Sequence, residues 1–204
     1  MTIRFHKGDL TSLSHFRDSV AIDTETLGLN LQRDRLCVVQ LSAGDGSADV
    51  VQIARGQTQA PNLEKLLTDP AITKIFHFGR FDIAILHKAF GVEVGPVYCT
   101  KIASKLTRTY TDRHGLKDLV RELLGIDLSK QQQSSDWAAD MLSEAQLAYA
   151  ASDVLHLHAL RAKLDMMLAR EGRANIAKAC FGFLPERARL DLMGWPEIDI
   201  FSHE

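Results

Sequence analysis

Cysteine is scarce in this sequence of 204 residues. Its three cysteines, Cys37, Cys99 and Cys180, lie far apart and form no C-x-x-C pair. They therefore predict neither a zinc knuckle nor a disulfide framework, and we expect the chain to act in a reducing cytoplasm. No apolar run approaches the roughly 18 residues of a membrane-spanning helix. The first ten residues are charged where a secretory signal has its apolar core, so the sequence predicts no such signal.

A surplus of basic residues is also missing, because the formal net charge is −2. This balance argues against an extended basic surface for nucleic acid. It leaves room for an enzyme that holds a short 3′ end with the help of bound cations. Hydrophobic residues make up 46% of the chain, which is enough to build the core of one ordinary domain with a cleft.

Strand and helix signals alternate in the first half of the chain, and helical signals dominate the second half. Apolar runs predict five strands, at 20–22, 36–41, 48–53, 74–78 and 97–100. Periodicity and capping residues predict helices at 61–68, 80–90, 116–124 and from 143 to about 169, interrupted near Ser152. This order predicts an α/β fold in which helices flank a mixed five-stranded sheet. We expect one domain over residues 1–204, with a C-terminal helical tail from about 172.

Two carboxylates share one side of the first predicted strand. Asp23 and Glu25 stand at positions i and i+2, so their side chains point to the same face. Such a pair repels unless a cation lies between the two groups, and hard cations such as Mg²⁺ prefer oxygen ligands. A solvated strand end would explain a single D-x-E motif equally well.

Two further acids and a tyrosine complete the set of candidate residues. Asp82 falls in the first turn of a predicted helix, where the helix dipole alone also favours an acid. Asp153 stands among small apolar residues, and an aspartate there is costly unless it is paired or binds a metal. Tyr149 precedes Asp153 by four residues and therefore shares its helix face.

Taken in order, these motifs resemble the DEDD exonuclease superfamily, whose fold is ribonuclease H-like. The tyrosine marks the DEDDy branch, because the DEDDh branch carries a histidine where this chain has Ala148. The segments 76–82, 116–119 and 134–137 are similar to the ribonuclease D group. The segments 23–30, 130–137 and 190–195 resemble the nanoRNase C family more closely, and that resemblance spans the whole chain.

The resemblance implies a 3′-5′ exoribonuclease that uses two divalent cations, Mg²⁺ or Mn²⁺. It implies that Asp23, Glu25, Asp82 and Asp153 hold the metals and that Tyr149 orients the attacking water. The implied substrate is short single-stranded RNA at its 3′ end, dinucleotides included, and the implied assembly is an octamer. The residues that it places near the substrate are Thr24, Leu29, His77, Phe81, Gln133 and Trp137.

Several alternatives stay open at this point. Leu29 and Trp137 could be ordinary core residues, and Lys101, Lys105 and Arg108 form one basic helix face that either steers phosphates or is merely solvated. A ribonuclease D-like or DNA-directed exonuclease acting on longer strands has the same acids. A non-catalytic nucleic-acid-binding module is the remaining alternative. Only about forty residues follow the long predicted helix, too few for an HRDC domain, and this favours short RNA.

Overall fold

A six-stranded mixed sheet forms the centre of the molecule. The structure is a computed structural model that describes residues 2–128, 132 and 134–203. The strands are β1 (Thr2–Lys7), β2 (Ser19–Thr26), β3 (Leu36–Ser42), β4 (Ser47–Gln52), β5 (Thr73–Phe76) and β6 (Val97–Cys99). Their order is β1-β4-β3-β2-β5-β6, and β3 runs antiparallel to both of its neighbours. The mixed α/β sheet is confirmed, but the predicted count of five strands is wrong.

The sequence prediction missed strand β1, which pairs in parallel with β4 at the sheet edge. Arg4 and His6 alternate along it and both contact the buried carboxylate of Asp49, at 2.8 Å each. Ile3 and Phe5 do alternate with Arg4 and His6, but this signal is short and the buried position at His6 is polar, so it is easily overlooked in the sequence.

Seven helices surround the sheet in the described part of the chain. They are α1 (Pro61–Thr68), α2 (Arg80–Phe90), α3 (Thr100–Thr107), α4 (Leu116–Leu124), α5 (Glu144–Leu155), α6 (Leu157–Arg170) and α7 (Ala174–Leu192). The capping box predicted at Ser143 and Gln146 starts α5. The predicted interruption of the long helix lies at His156, between α5 and α6, and not at Ser152.

Packing against the sheet fixes the position of two helices that matter for function. Helix α5 lies against β1 to β4, and its residues Ala150, Ala151 and Val154 are fully buried. Helix α2 follows β5 and packs against the C-terminal helix α7. Strand β3, in the middle of the sheet, is buried along its whole length. Strand β2 pairs with β3 from Ala21 to Thr26, so both β2 and α5 are anchored in the core.

None of the described helices is both long and apolar enough to cross a membrane.

Candidate metal and nucleic-acid site

Strand β2 presents the first two acids of the site. Asp23 lies opposite Gln40 of β3, whose Nε2 donates to the Asp23 carboxylate at 2.7 Å. Gln40 is fully buried, so this hydrogen bond fixes the direction of one carboxylate oxygen. The pairing of β2 and β3 shifts register between Glu25 and Thr26. Bulges of this kind re-aim side chains and are common beside active sites.

The third acid is positioned from the opposite side of β2. Asp82 lies in the first turn of α2 and is buried. Its carboxylate accepts a hydrogen bond of 2.6 Å from the hydroxyl of Thr24. Thr24, which we predicted to contact substrate, is itself buried, and its hydroxyl is directed at Asp82. The hydroxyl therefore orients an acid in this structure.

Helix α5 supplies the fourth acid. Carboxylate oxygens of Asp23, Glu25 and Asp153 all lie within 4.8 Å of one another, close enough to share one cation. Tyr149, one turn before Asp153, lines the same cleft of about 600 Å³, as does Asp82. The structure thus brings together the five residues that the sequence motifs singled out.

The electrostatics of the four acids favour a bound cation. Burial raises the pKa of Asp23 well above its usual range, and the neighbouring carboxylates add to the rise. Burial likewise raises the pKa of Glu25 to about 8, and those of Asp82 and Asp153 to about 7. No lysine or arginine of the described residues forms an ion pair with any of the four. Crowded oxygen donors without a protein counter-charge fit a hard divalent cation.

We expect Mg²⁺ to stabilise the protein more at pH 8 than at pH 5.5. Acids with a raised pKa hold more protons in the folded state than in the unfolded chain, so between about pH 4 and pH 8 the metal-free protein loses stability as pH rises. Mg²⁺ must displace these protons at pH 5.5 but meets more ionised carboxylates at pH 8. Thermal melts with and without Mg²⁺ would measure the difference. An equal Mg²⁺-induced shift at both pH values would contradict the expectation.

Hydrophobic and aromatic side chains line the cleft beside the acids. Leu29 is 85% exposed and projects into the cleft, so it is not a core leucine. It stands on a loop of residues 27–35, here named the Leu29 loop. Lys88 of α2 ties this loop down by donating to the carbonyls of Leu31, Gln32 and Asp34. The loop that carries Leu29 is therefore anchored to α2.

Two further predicted contacts, Phe81 and His77, line the same cleft. Phe81 is half-buried and faces the cleft from α2. The Nδ1 of His77 lies 2.9 Å from the Thr100 hydroxyl, which itself donates to the Phe76 carbonyl. Burial and nearby Lys101 lower the pKa of His77 to about 3. The ring is therefore neutral at pH 7 and offers hydrogen bonds and a flat face rather than a charge.

Two other predicted contacts differ from this pattern. Trp137 is only 3% exposed, and its ring packs against Tyr149 at 6.1 Å between centroids. It supports Tyr149 from behind, which matches the packing alternative better than direct contact with substrate. Gln133 lies outside the described residues.

The sequence prediction missed Phe78. This residue adopts a φ of 65°, a left-handed conformation that is rare for a bulky side chain and typical of strained functional positions. Its ring is 46% exposed in the cleft, and Lys101 lies 4.3 Å above the ring centroid. Only its place in the H-F-G-R-F-D motif could have drawn attention to it.

The prediction that Lys101, Lys105 and Arg108 form one basic helix face is wrong for Arg108. Arg108 follows the helix and is fully buried. It pairs with Glu122 of α4 and donates to the Arg113 carbonyl at 2.6 Å. Because these acceptors satisfy its guanidinium, Arg108 joins α3 to α4 and cannot steer phosphates. Lys101 lines the cleft, together with Lys117 of α4.

Comparison with known proteins shows the family. Residues 9–169 match the family model described as 3′-5′ exonuclease. The chain is 66% identical to Brucella melitensis NrnC in a structure with bound Mg²⁺, with a TM-score of 0.97 and full coverage of both chains. This chain belongs to the 3′-5′ exonuclease family, in its NrnC branch. A structure of Brucella melitensis NrnC bound to pGG is similar to the same degree, at 67% identity and a TM-score of 0.98 over both full chains.

A curated relative gives a more distant view of the same family. Ribonuclease D of Gluconacetobacter diazotrophicus is 40% identical over 156 residues. That match covers 76% of this chain but only 39% of the relative, so the chain spans well under half of that protein. The expectation of a ribonuclease D-like, DEDD-type exonuclease is confirmed at the level of fold and family.

Helix α7 lies outside residues 9–169, the part of the chain that the family model matches, yet the helix contacts the elements that carry residues of the site. Arg80, the first residue of α2, donates two hydrogen bonds of 2.5 and 2.6 Å to the buried carboxylate of Asp191. Arg187 donates to the same carboxylate at 2.7 Å. The side chain of Gln32 in the Leu29 loop bonds the Leu192 carbonyl at 2.9 Å. The C-terminal helix therefore braces both the helix that carries Asp82 and the loop that carries Leu29.

We expect Asp191→Asn to lower the free energy of unfolding by about 2–3 kcal/mol, because two guanidinium groups lose their shared carboxylate. Hydrolysis should also slow, since the first turn of α2 positions Asp82. Urea unfolding measures the first effect. Glu186→Gln, which alters an exposed pair with Arg189 on the same helix, is the control and should change stability by under about 1 kcal/mol. Equal effects of the two substitutions would show that the brace contributes nothing.

Proposed function

We propose that this chain is a metal-dependent 3′-5′ exoribonuclease that hydrolyses short oligoribonucleotides, dinucleotides included, to nucleoside 5′-monophosphates. The observation that carries the proposal is the convergence of four carboxylates and Tyr149 in one cleft with exposed aromatic and aliphatic side chains. Membership of the NrnC branch supports a short substrate, since Brucella melitensis NrnC has a structure with bound pGG.

The acids have separable roles in this proposal. Asp23, Glu25 and Asp153 would hold one divalent cation, and Asp82 would support a second, either Mg²⁺ or Mn²⁺. When bound, the cations neutralise charge on the phosphodiester and activate the attacking water. Gln40 and Thr24 keep the carboxylates of Asp23 and Asp82 in fixed directions. Such prepared ligands need no rearrangement during the reaction.

Tyr149 acts as a hydrogen-bonding partner of the attacking water. Burial and then the nearby carboxylate of Asp153 raise the pKa of the tyrosine above its usual value, so the phenol stays protonated at neutral pH. Water attacks phosphorus, the bond from phosphorus to the 3′ oxygen of the preceding nucleotide breaks, and that oxygen takes up a proton. The products are a nucleoside 5′-monophosphate and a chain one residue shorter.

The bases and phosphates of the substrate meet the walls of the cleft. Leu29 inserts between the two terminal bases, while Phe78 and Phe81 offer faces for stacking. Lys101 and Lys117 attract the phosphates that the four acids would otherwise repel. This combination favours a ligand of two nucleotides, held at its bases and at its scissile phosphate.

We also propose that the chain forms a homo-oligomer. The tail after α7 exposes large apolar side chains, among them Trp195, Ile200 and Phe201. Apolar surface of this kind favours association. Light scattering coupled to size exclusion would measure the assembly, and a monomer at micromolar concentration would contradict the proposal.

The decisive experiment uses 5′-labelled RNAs of two to twenty nucleotides with Mg²⁺. We expect stepwise shortening from the 3′ end and complete conversion of the dinucleotide. DNA strands of the same sequence form a parallel arm that tests sugar selectivity. Reactions that stop with dinucleotides as stable products, or that consume DNA faster than RNA, would contradict the proposed substrate while leaving the exonuclease family intact.

A further inference from the structure

A second cleft opens at the end of the sheet, beyond the Leu29 loop. It has a volume of about 820 Å³, and its lining includes residues at the points where four adjacent strands end or begin. Lys7 ends β1, Gln52 ends β4, Arg35 precedes β3 and Leu27 follows β2. At about 4.8 Å between strands, the cleft spans roughly 14 Å along the sheet end. We name it the basic cleft.

Four cationic side chains line the basic cleft, while Asp140 is the acid that borders it. Arg33 forms an ion pair with Asp34 at 2.7 Å. Lys7, Arg35 and Arg55 form no ion pair with any acid of the described residues. A local excess of unpaired positive charge in a protein with a net charge of −2 indicates a site for an anion.

Arg35 is held in place as a ligand for an oxyanion would be. Its Nη1 donates to the carbonyls of Leu36 and Ile53, at 3.0 and 3.1 Å, and the residue is half-buried. Anchoring one nitrogen fixes the plane of the guanidinium. Its other N–H groups donate to no acceptor among the described residues, and an arginine fixed in this way suits the paired oxygens of a phosphate.

The lining of the basic cleft contains no aromatic side chain among the described residues, whereas Phe78 and Phe81 line the cleft that holds the four acids, here named the acidic cleft. A ligand of the basic cleft therefore finds no face on which to stack a base. We propose that the basic cleft is a second phosphate-binding site, which holds nucleotides by their phosphate groups alone. The phosphate belongs either to an RNA strand that extends past the acidic cleft or to a released mononucleotide.

This site lies beside the catalytic one without being part of it. Leu27 borders the basic cleft and Leu29 borders the acidic cleft, so the Leu29 loop separates the two. Two residues of extended strand, about 7 Å, separate Glu25 from Leu27. The proposal goes beyond the proposed function; the assignment of the phosphate to substrate or product rests on that function, whereas phosphate binding itself can be measured without turnover.

The test compares the Arg35→Gln/Arg55→Gln double variant with Arg17→Gln, which removes an exposed arginine before β2, at the opposite end of the sheet. Binding of a 12-nucleotide RNA and of 5′-AMP is measured in an Asp153→Asn background at several salt concentrations. We expect the double variant to bind the 12-nucleotide RNA, 5′-AMP or both roughly tenfold more weakly than the chain that keeps Arg35 and Arg55. The salt slope for RNA should also fall by about 0.7 for each phosphate that the variant no longer neutralises.

Each result has a distinct meaning. Weaker binding of the 12-nucleotide RNA alone supports a strand site, and weaker binding of 5′-AMP supports a product site. Losses no larger than those of Arg17→Gln overturn the proposal. The single variant Arg55→Gln is the control for misfolding, because Arg55 is exposed and its substitution should leave the fold intact. Hydrolysis of a dinucleotide by the Arg55→Gln variant, in the chain with Asp153 intact, should stay unchanged, because Arg55 lies outside the Leu29 loop. A parallel loss there would mean that the Leu29 loop had moved, which also overturns the proposal.

Discussion

Asp153→Asn is expected to reduce hydrolysis by roughly a thousandfold or more. The amide cannot supply the charged oxygen that a divalent cation requires, and the cation contributes several kcal/mol to stabilising charge in the transition state. At about 1.4 kcal/mol for each tenfold change, a loss of that size gives the stated factor. Asparagine has nearly the same shape as aspartate, so the buried packing of α5 stays intact.

The substitution also makes a prediction about stability that separates loss of metal from loss of fold. Burial raises the pKa of Asp153 to about 7, so its ionised form is unfavourable in the metal-free protein at pH 8. Metal-free Asp153→Asn should therefore be at least as stable as the unaltered chain at that pH, while its affinity for Mg²⁺ falls. Calorimetric titration with Mg²⁺ and thermal melts check both points.

Glu144→Gln is the matched control, because Glu144 is an exposed acid on the same helix. It should leave both hydrolysis and Mg²⁺ affinity unchanged. Near-normal turnover by a folded Asp153→Asn protein would exclude a role for this acid in holding the metal.

The acids could be predicted from sequence because their signals are local. Asp23 and Glu25 stand two apart on a strand, so their common side follows from strand geometry alone. Asp153 and Tyr149 stand four apart on a helix, and the small apolar residues around Asp153 indicate that this part of the helix is buried. Their order along the chain matches a known family pattern, and the similarity to solved exonucleases confirms the family as a whole.

The supporting contacts could not be predicted, because they depend on how distant segments pair. Gln40 reaches Asp23 only through the register of β2 against β3. A lone glutamine in an apolar strand indicates that its side chain has a polar partner, although it does not identify that partner. The spacing of Arg108 is that of a surface residue, and only the packing of α3 beside α4 reveals its buried pairing with Glu122.

Backbone conformation is a second kind of information that the sequence does not carry. Phe78 looks like an ordinary aromatic residue, yet its positive φ exposes the ring in the cleft. Leu29 is compatible with a core position by its type alone, and the Leu29 loop places it in solvent. Both residues act through where a turn directs them, and a turn formed by tertiary contacts has no strong signature of its own.

Tyr149→Phe is expected to lower kcat by roughly a hundredfold with little change in substrate affinity. Removal of the hydroxyl takes away one hydrogen bond to the attacking water, and groups that assist proton transfer typically contribute a factor of this order. The ring stays, so its packing against Trp137 stays as well. The bases of the substrate meet Leu29 and the phenylalanines instead, which is why affinity should be preserved.

The pH dependence of the variant distinguishes a water-orienting tyrosine from a catalytic base. Because the pKa of Tyr149 lies above its usual value, the phenol does not titrate between pH 6 and pH 9, and the slower Tyr149→Phe enzyme should keep the pH profile of the unaltered chain. If Tyr149 were instead the catalytic base, its removal would abolish one limb of that pH profile. Tyr110→Phe is the control, since that exposed hydroxyl contacts Glu122 away from the cleft. A variant of Tyr149 that binds substrate poorly but turns it over at the normal rate would assign this tyrosine to binding rather than to the chemical step.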